Sequence, residues 1–171
     1  MLAQTPVQIA WVTRDLDATE KTLTALLGAK KWVRLPAVHF APETCTLHGA
    51  PADFVADVSL SYAGDTQLEL IAPVTGDSVY TEFLDTAGPG LHHITAQVED
   101  MDATVAELER QGIKPFGGVS NDGAWTVTYI HPRDSGGILW QLFVPNEGHE
   151  YEEVEAGGGI VNLQRVDHVS L

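Results

Sequence analysis

The sequence predicts an α+β fold in which two βαβββ repeats curl into a half-barrel-like sheet around a cavity, and three observations carry that prediction. First, residues 7–19, VQIAWVTRDLDAT, lie over residues 92–104, HHITAQVEDMDAT, at a constant offset of 85. Ile9 then matches Ile94, Asp15 matches Asp100, Asp17 matches Asp102, Ala18 matches Ala103 and Thr19 matches Thr104. Second, each copy closes on a similar strand, ELIAP at 69–73 and QLFVP at 141–145. Third, the hydrophobic period between those landmarks changes from that of a strand to that of a helix and back.

The first repeat, about residues 5–76, opens with an apolar extended run and then places Asp15 where a helix needs an N-cap. The helix that follows is expected to bury Leu16, Leu23, Leu26 and Leu27 and to stop at Gly28. Residues 33–57, with Pro36, Pro42 and Pro51, make a long connection placed to act as a lid over the cavity. The runs DVSLSYAG and TQLELIA complete the unit as strands. In the second repeat, about residues 90–145, Asp100 caps a helix that buries Met101, Val105 and Leu108 and stops at Gly112. WTVTYI and ILWQLFV supply its later strands. Two half-sheets of this kind hide their open faces by joining, and the joint sheet encloses a ligand-sized space.

Residues 1–145 therefore read as one domain. Residues 146–161 are acidic and glycine-rich and read as a linker, because such a composition cannot build a core. Residues 162–171 read as a β-strand resembling a third copy of the opening strand, with His168 over Gln8 and His93. Such a strand is expected to add to a sheet edge or to be exchanged across a homodimer, since an open edge invites pairing.

Bulk composition excludes several functions. Nine Lys and Arg stand against 24 Asp and Glu, for a formal charge of −15, so the basic footprint of a nucleic-acid binder is missing. Cys45 has no cysteine partner, and the opening MLAQTPVQIAWVTRD lacks both a basic leader and an apolar span. The expectation is a soluble, cytoplasmic protein with no membrane partner and a small-molecule substrate.

The segments GLHHITAQVEDMDAT and HPRDSGGILWQLFV resemble the vicinal oxygen chelate superfamily, which comprises glyoxalases, bleomycin-resistance proteins and extradiol dioxygenases, and most of all its methylmalonyl-CoA epimerase branch. The likeness covers about residues 5–145. It implies a glyoxalase-like fold holding one divalent metal (Co, Ni, Mn, Zn or Fe) on four inward-facing side chains, carried over as Gln8, Glu69, His93 and Gln141. The internal repeat pairs the same positions, 8 with 93 and 69 with 141. This sequence departs from the epimerase pattern at two of them, with Gln8 where that branch has His and Gln141 where it has Glu. An amide oxygen is a hard neutral ligand, but it cannot take a proton at neutral pH, so the general base is left open between Glu69, His131 and the substrate itself.

The implied function is a metal-dependent lyase or isomerase acting on a small oxygenated acid, ketone or thioester through an enolate-type intermediate. The alternative is a metal-free binding protein of the bleomycin-resistance kind, or a cofactorless enzyme using Glu69 and His93 directly. An extradiol-type dioxygenase, with His168 as an extra ligand beside His93 and Glu69, is the outside alternative. Arg133, in the HPRDSGG turn, is placed to hold an anionic group, and Trp11, Trp125 and Phe143 are candidates for an apolar substrate wall. His92 should point away from His93 by strand alternation and serve packing. The CxxH of Cys45 and His48 has no second pair and reads as a loop rather than a zinc site.

Overall fold

The computed structural model describes residues 6–121, 125–145, 153–156 and 159–162, with side chains described for 6–116 and 126–144. The elements run β1 (Pro6–Val12), α1 (Leu16–Leu27), β2 (Val33–Phe40), β3 (Thr46–Leu47), β4 (Ala50–Pro51), β5 (Phe54–Ala63) and β6 (Thr66–Thr75). They continue through α2 (Val79–Thr86), β7 (Gly90–Gln97), α3 (Met101–Arg110), β8 (Phe116–Asn121), β9 (Trp125–Ile130) and a short 3₁₀ turn, Pro132–Asp134. β10 (Leu139–Pro145), β11 (Glu153–Ala156) and β12 (Gly159–Asn162) follow.

One eight-stranded sheet runs in the order β2-β5-β6-β1-β7-β10-β9-β8. Each half has the same wiring, an opening strand parallel to the closing strand of its own repeat, and the two opening strands β1 and β7 meet antiparallel at the centre. Ile9 pairs with Ile94 there, so the matched isoleucines of the repeat mark a pseudo-twofold axis. The predicted βαβββ duplication is therefore the architecture. In the first half the long connection also carries the edge strand β2 and the small β3–β4 hairpin.

The matched aspartates are caps. Asp15 accepts from the Ala18 amide at 3.0 Å and Asp100 from the Ala103 amide at 2.9 Å, which satisfies N–H groups that a helix start leaves without partners. α1 ends at Gly28 in the left-handed conformation (φ 75). Its apolar stripe is narrower than expected: Leu23 is buried, but Leu26 is 73% and Leu27 45% exposed, so the last turn of α1 adds little to the core.

The helices divide between the faces. Ala96, Val98, Ile130 and Leu142 form a core with Met101 and Leu108 of α3, on the outer face of the second half-sheet. α2, which belongs to neither repeat, packs on the inner face instead, placing Tyr80 in a core with Ala10, Val12, Leu60 and Ile71. Its start is secured by a reciprocal capping box between Ser78 and Thr81. The turn leading into it needs Gly76, whose φ is 84 and whose missing Cβ would sit 2.3 Å from the Asp53 carbonyl oxygen.

Within the linker predicted over 146–161, Glu153–Ala156 and Gly159–Asn162 pair as an antiparallel hairpin. The strand expected at 162–171, with His168, lies outside the described residues apart from Asn162. No helix among the described residues is long and apolar enough to cross a membrane.

Candidate functional site

The register lays polar side chains of the inner face in two rows across the central strands. In one row Glu69 on β6 and His93 on β7 flank Ala10 on β1. In the other, Gln67, Gln8, Thr95, Gln141 and Tyr129 stand on β6, β1, β7, β10 and β9, each the register partner of the next.

The second row is a hydrogen-bonded ladder. Gln67 Nε2 donates to the Tyr62 hydroxyl at 3.1 Å, and Gln8 Nε2 donates to Gln67 Oε1 at 2.8 Å. The Thr95 hydroxyl lies 2.9 Å from both Gln8 Oε1 and Gln141 Oε1, and the Gln141 amide reaches the Tyr129 hydroxyl at 3.2 Å. A hydroxyl has one proton and donates to one of two carbonyl oxygens only. With the Gln141 amide turned over, its NH₂ donates to Thr95 and its oxygen accepts from Tyr129, so that each contact has one donor and one acceptor.

The first row is the opposite case. Glu69 and His93 are both fully buried, with Glu69 Oε2 3.8 Å from His93 Nε2, beyond hydrogen-bond reach. Both Glu69 oxygens and His93 Nε2 lack a hydrogen-bond partner. Each such group costs roughly 1–3 kcal/mol, and more if charged, which is a large sum to leave at one spot in a core. Burial pushes the Glu69 carboxyl up to about 8. Burial also draws the His93 imidazole well below its usual range, with His92 adding in the same direction. Tyr80 reaches this interior from α2: burial raises its phenol, and Tyr129, Glu69 and Cys45 add to the effect.

A cation between Glu69 and His93 would satisfy all three orphaned atoms, so the donor chemistry fits a divalent metal. Among the described residues no three His, Cys, Asp or Glu side chains gather around one point. The amides of Gln8 and Gln141, the other two expected ligand positions, are both engaged with Thr95 in the ladder. The four positions expected from the resemblance thus share one face of the sheet, sorted into a bare pair and a satisfied pair.

The remaining predicted residues are spread more widely. Phe143 is two residues beyond Gln141 on the same face, buried against Val127, Tyr129 and Leu139. Trp11 is not: it pairs with Leu70, which alternates with Glu69, so its ring lies on the outer face, and its place in a substrate wall is corrected accordingly. The Trp125 side chain lies outside the described residues. His131 is exposed at the head of the 3₁₀ turn, its ring 5.6 Å from Phe116, and its Nδ1 accepts from the Arg133 amide at 3.2 Å. Arg133 is exposed and paired with Asp134 at 3.4 Å. His48 contacts Glu82 at 2.8 Å while Cys45 is buried, in keeping with a loop.

His92 corrects the alternation argument. Ala10 pairs with His93 but Trp11 pairs with Leu91, so His92 is the extra residue of a β-bulge. A bulge turns two successive side chains toward one face. His92 accordingly packs its ring against Tyr80 and Phe83 of α2, each at 5.1 Å, and brings its Nδ1 to 2.9 Å from His93 Nδ1. Sequence reasoning also missed Thr95, Tyr62 and Tyr129. Reading two residues along from each candidate ligand would have found Thr95; the tyrosines need the register of the preceding strand, β5 for Tyr62 and β9 for Tyr129.

Comparison with known proteins bears out the resemblance. The family model described as Glyoxalase/Bleomycin resistance protein/Dioxygenase superfamily matches residues 7–129. The mitochondrial methylmalonyl-CoA epimerase of Mus musculus is 31% identical over 138 residues, covering 78% of this chain and 69% of that protein. The uncharacterised protein YqjC of Bacillus subtilis is 33% identical over 101 residues, covering 58% of this chain and 71% of the relative. The crystal structure of the Mycobacterium tuberculosis methylmalonyl-CoA epimerase superposes with a TM-score of 0.55 at 24% identity, covering 85% of this chain and 93% of that one.

Proposed function

The chain belongs to the glyoxalase/bleomycin resistance protein/dioxygenase superfamily, and from that premise we propose that it is an epimerase inverting the carbon next to the carbonyl of a malonyl-type coenzyme A thioester. The observation that carries this reading is the trio of orphaned atoms, Glu69 Oε1, Glu69 Oε2 and His93 Nε2, buried and facing one another in the middle of the sheet. The relatives named as methylmalonyl-CoA epimerases supply the substrate class.

A carbon between a thioester carbonyl and a carboxylate loses its proton with the electron pair moving onto the thioester oxygen. Return of a proton to the other face inverts the centre, with no net change of atoms or oxidation state. Glu69 and His93 are the residues that would hold a divalent ion, and the ion when bound supplies positive charge to offset that of the enolate. Glu69 brings two oxygens without partners, so one can face the ion while the other accepts the substrate proton. His131 is the second candidate for the proton step. Gln8 and Gln141, tied through Thr95, set a neutral polar wall beside the reacting row, and burial of that row strengthens each charge interaction within it.

The test is a proton-exchange assay. Incubated with methylmalonyl-CoA in D₂O and Co²⁺, the protein is expected to place one deuterium on the substrate carbon, to lose that activity to a chelator, and to lose it with Glu69→Ala. Absence of exchange from the wild type at any metal would defeat the reading. A second reading, a cofactorless acid–base pair of Glu69 and His93, is favoured by the engagement of both amides with Thr95. Under it, exchange persists after chelation.

A further inference from the structure

We propose that His92, through the bulge that re-aims it, is the positioning residue that fixes the tautomer of His93 and keeps the Nε2 lone pair turned toward Glu69. The inference rests on the proposed function for its use, but its geometry stands apart from it. Strand alternation alone would send His92 to the outer face. The register step between Ala10 and Trp11 turns it inward instead, where its Nδ1 meets His93 Nδ1 at 2.9 Å.

Two nitrogens at that distance share one proton: one is N–H and the other a lone pair. Which ring donates follows from the other end of His92. That ring interacts with the backbone of Val79 in a way that favours its N–H, and a backbone carbonyl only accepts. With Nδ1 turned to His93, the nitrogen left for Val79 is Nε2. A neutral imidazole carries a single proton. If the His92 proton is on Nε2, its Nδ1 is a lone pair and must accept. His93 then donates from Nδ1, and its own Nε2 is bare.

The chain of donors therefore runs from His93 through His92 to the first turn of α2, and it leaves at its start an unprotonated nitrogen facing Glu69. That is the form of imidazole able to bind a cation or accept a proton. The opposite tautomer would aim an N–H at the carboxyl from 3.8 Å, too far to bond. α2 belongs to neither repeat, and it holds the far side of His92 with Tyr80 and Phe83. The helix thus orients a ligand that the repeat supplies.

The experiment compares wild type, His92→Phe and His92→Gln. Phenylalanine keeps the packing on Tyr80 and Phe83 but cannot accept a proton; glutamine offers an amide oxygen in its place. Long-range ¹H–¹⁵N correlation spectra of the metal-free wild type are expected to show His93 protonated at Nδ1 and bare at Nε2. Titration calorimetry with Co²⁺ is expected to show about 10- to 100-fold weaker binding in His92→Phe, with most of the loss recovered in His92→Gln. A His93 ring protonated at Nε2 in the wild type would overturn the inference, as would equal Co²⁺ affinity in wild type and His92→Phe. If the wild type binds no Co²⁺, the metal-dependent function fails, and the nitrogen spectrum still decides the tautomer. If His92→Phe does not fold, the wild-type spectrum decides it alone.

Discussion

The two halves of the sheet offer the same positions and fill them differently. Around the axis at Ile9 and Ile94, Gln8 corresponds to His93, Ala10 to Thr95, Gln67 to Leu139 and Glu69 to Gln141. At Thr95 a hydroxyl stands between two amides and pairs with both. At Ala10 a methyl stands between a carboxyl and an imidazole and pairs with neither. A symmetric scaffold has thus been given one row that satisfies itself and one that waits for something else to do so. In folded cores such unsatisfied polar groups are rare and concentrate where chemistry or a ligand is expected.

Removing the carboxyl of the bare row should have the largest effect. Glu69→Gln keeps the shape but can neither bind a cation strongly nor take a proton at neutral pH. Deuterium exchange is expected to fall by about 10²- to 10⁴-fold. The same change should alter how stability depends on pH. Without a cation, the Glu69 carboxyl titrates at about 8 when folded, against an ordinary 4.5. Between those values the folded protein holds a proton that the unfolded chain has lost, so stability falls as pH rises and the full penalty is present above 8. The penalty is at most on the order of 5 kcal/mol. His92, titrating at about 4, and His93, also lowered, act in the other sense and cost stability only as pH falls below 6.5. Denaturant melts between pH 6.5 and 8 therefore isolate Glu69. A wild type that keeps a flat profile there, or a Glu69→Gln variant that still slopes, would break the assignment.

Next comes an exchange of character between the rows. Ala10→Ser puts a hydroxyl between Glu69 and His93, as Thr95 sits between Gln8 and Gln141. The new group can donate to the carboxyl, so the metal-free protein is expected to gain about 0.5–1.5 kcal/mol. Co²⁺ affinity should fall by roughly tenfold, the equivalent of that bond. Calorimetry and melts on one preparation read both. Loss of stability together with unchanged Co²⁺ binding would mean that the cation does not sit between Glu69 and His93.

Much of this layout is legible in the chain because duplication carries register with it. An offset of 85 that overlays Ile9 on Ile94 also overlays Gln8 on His93, and the closing strands give Glu69 over Gln141. What the repeat does not carry is what breaks it. The bulge at His92 depends on counting residues between two strands that meet only in space. α2 is eight residues long and lies between the copies, so no self-similarity announces it. Trp11 looks like a cavity aromatic by type and is assigned to the outer face only by its pairing with Leu70. Thr95 looks like any strand threonine until its neighbours on both sides are known to be amides.

Cutting the satisfied row is the third test. Thr95→Val is close in shape and removes the hydroxyl, which leaves Gln8 Oε1 and Gln141 without their shared partner. A loss of roughly 1–3 kcal/mol is expected, because an unmade bond in a core costs more than a made one contributes. Co²⁺ affinity should hold or rise, since the Gln8 amide oxygen is released toward the neighbouring row. If instead Co²⁺ binding collapses while stability is kept, the ladder is part of the ion site and the division into two rows is wrong.

The smallest effect probes what the halves have in common. Asp15 and Asp100 make the same bond, to Ala18 at 3.0 Å and to Ala103 at 2.9 Å. Alanine at either should cost about 0.5–2 kcal/mol. The two need not respond alike in function. α1 packs against β6, the strand carrying Glu69, and α3 against β10, the strand carrying Gln141. If the reacting groups belong to the first row only, fraying α1 should weaken Co²⁺ binding slightly, while fraying α3 should lower the melting temperature and leave the ion where it is. Equal stability losses with an ion effect confined to Asp15→Ala would show that a shared scaffold serves two different ends. An ion effect from Asp100→Ala alone would place the working ligands in the Gln141 row instead.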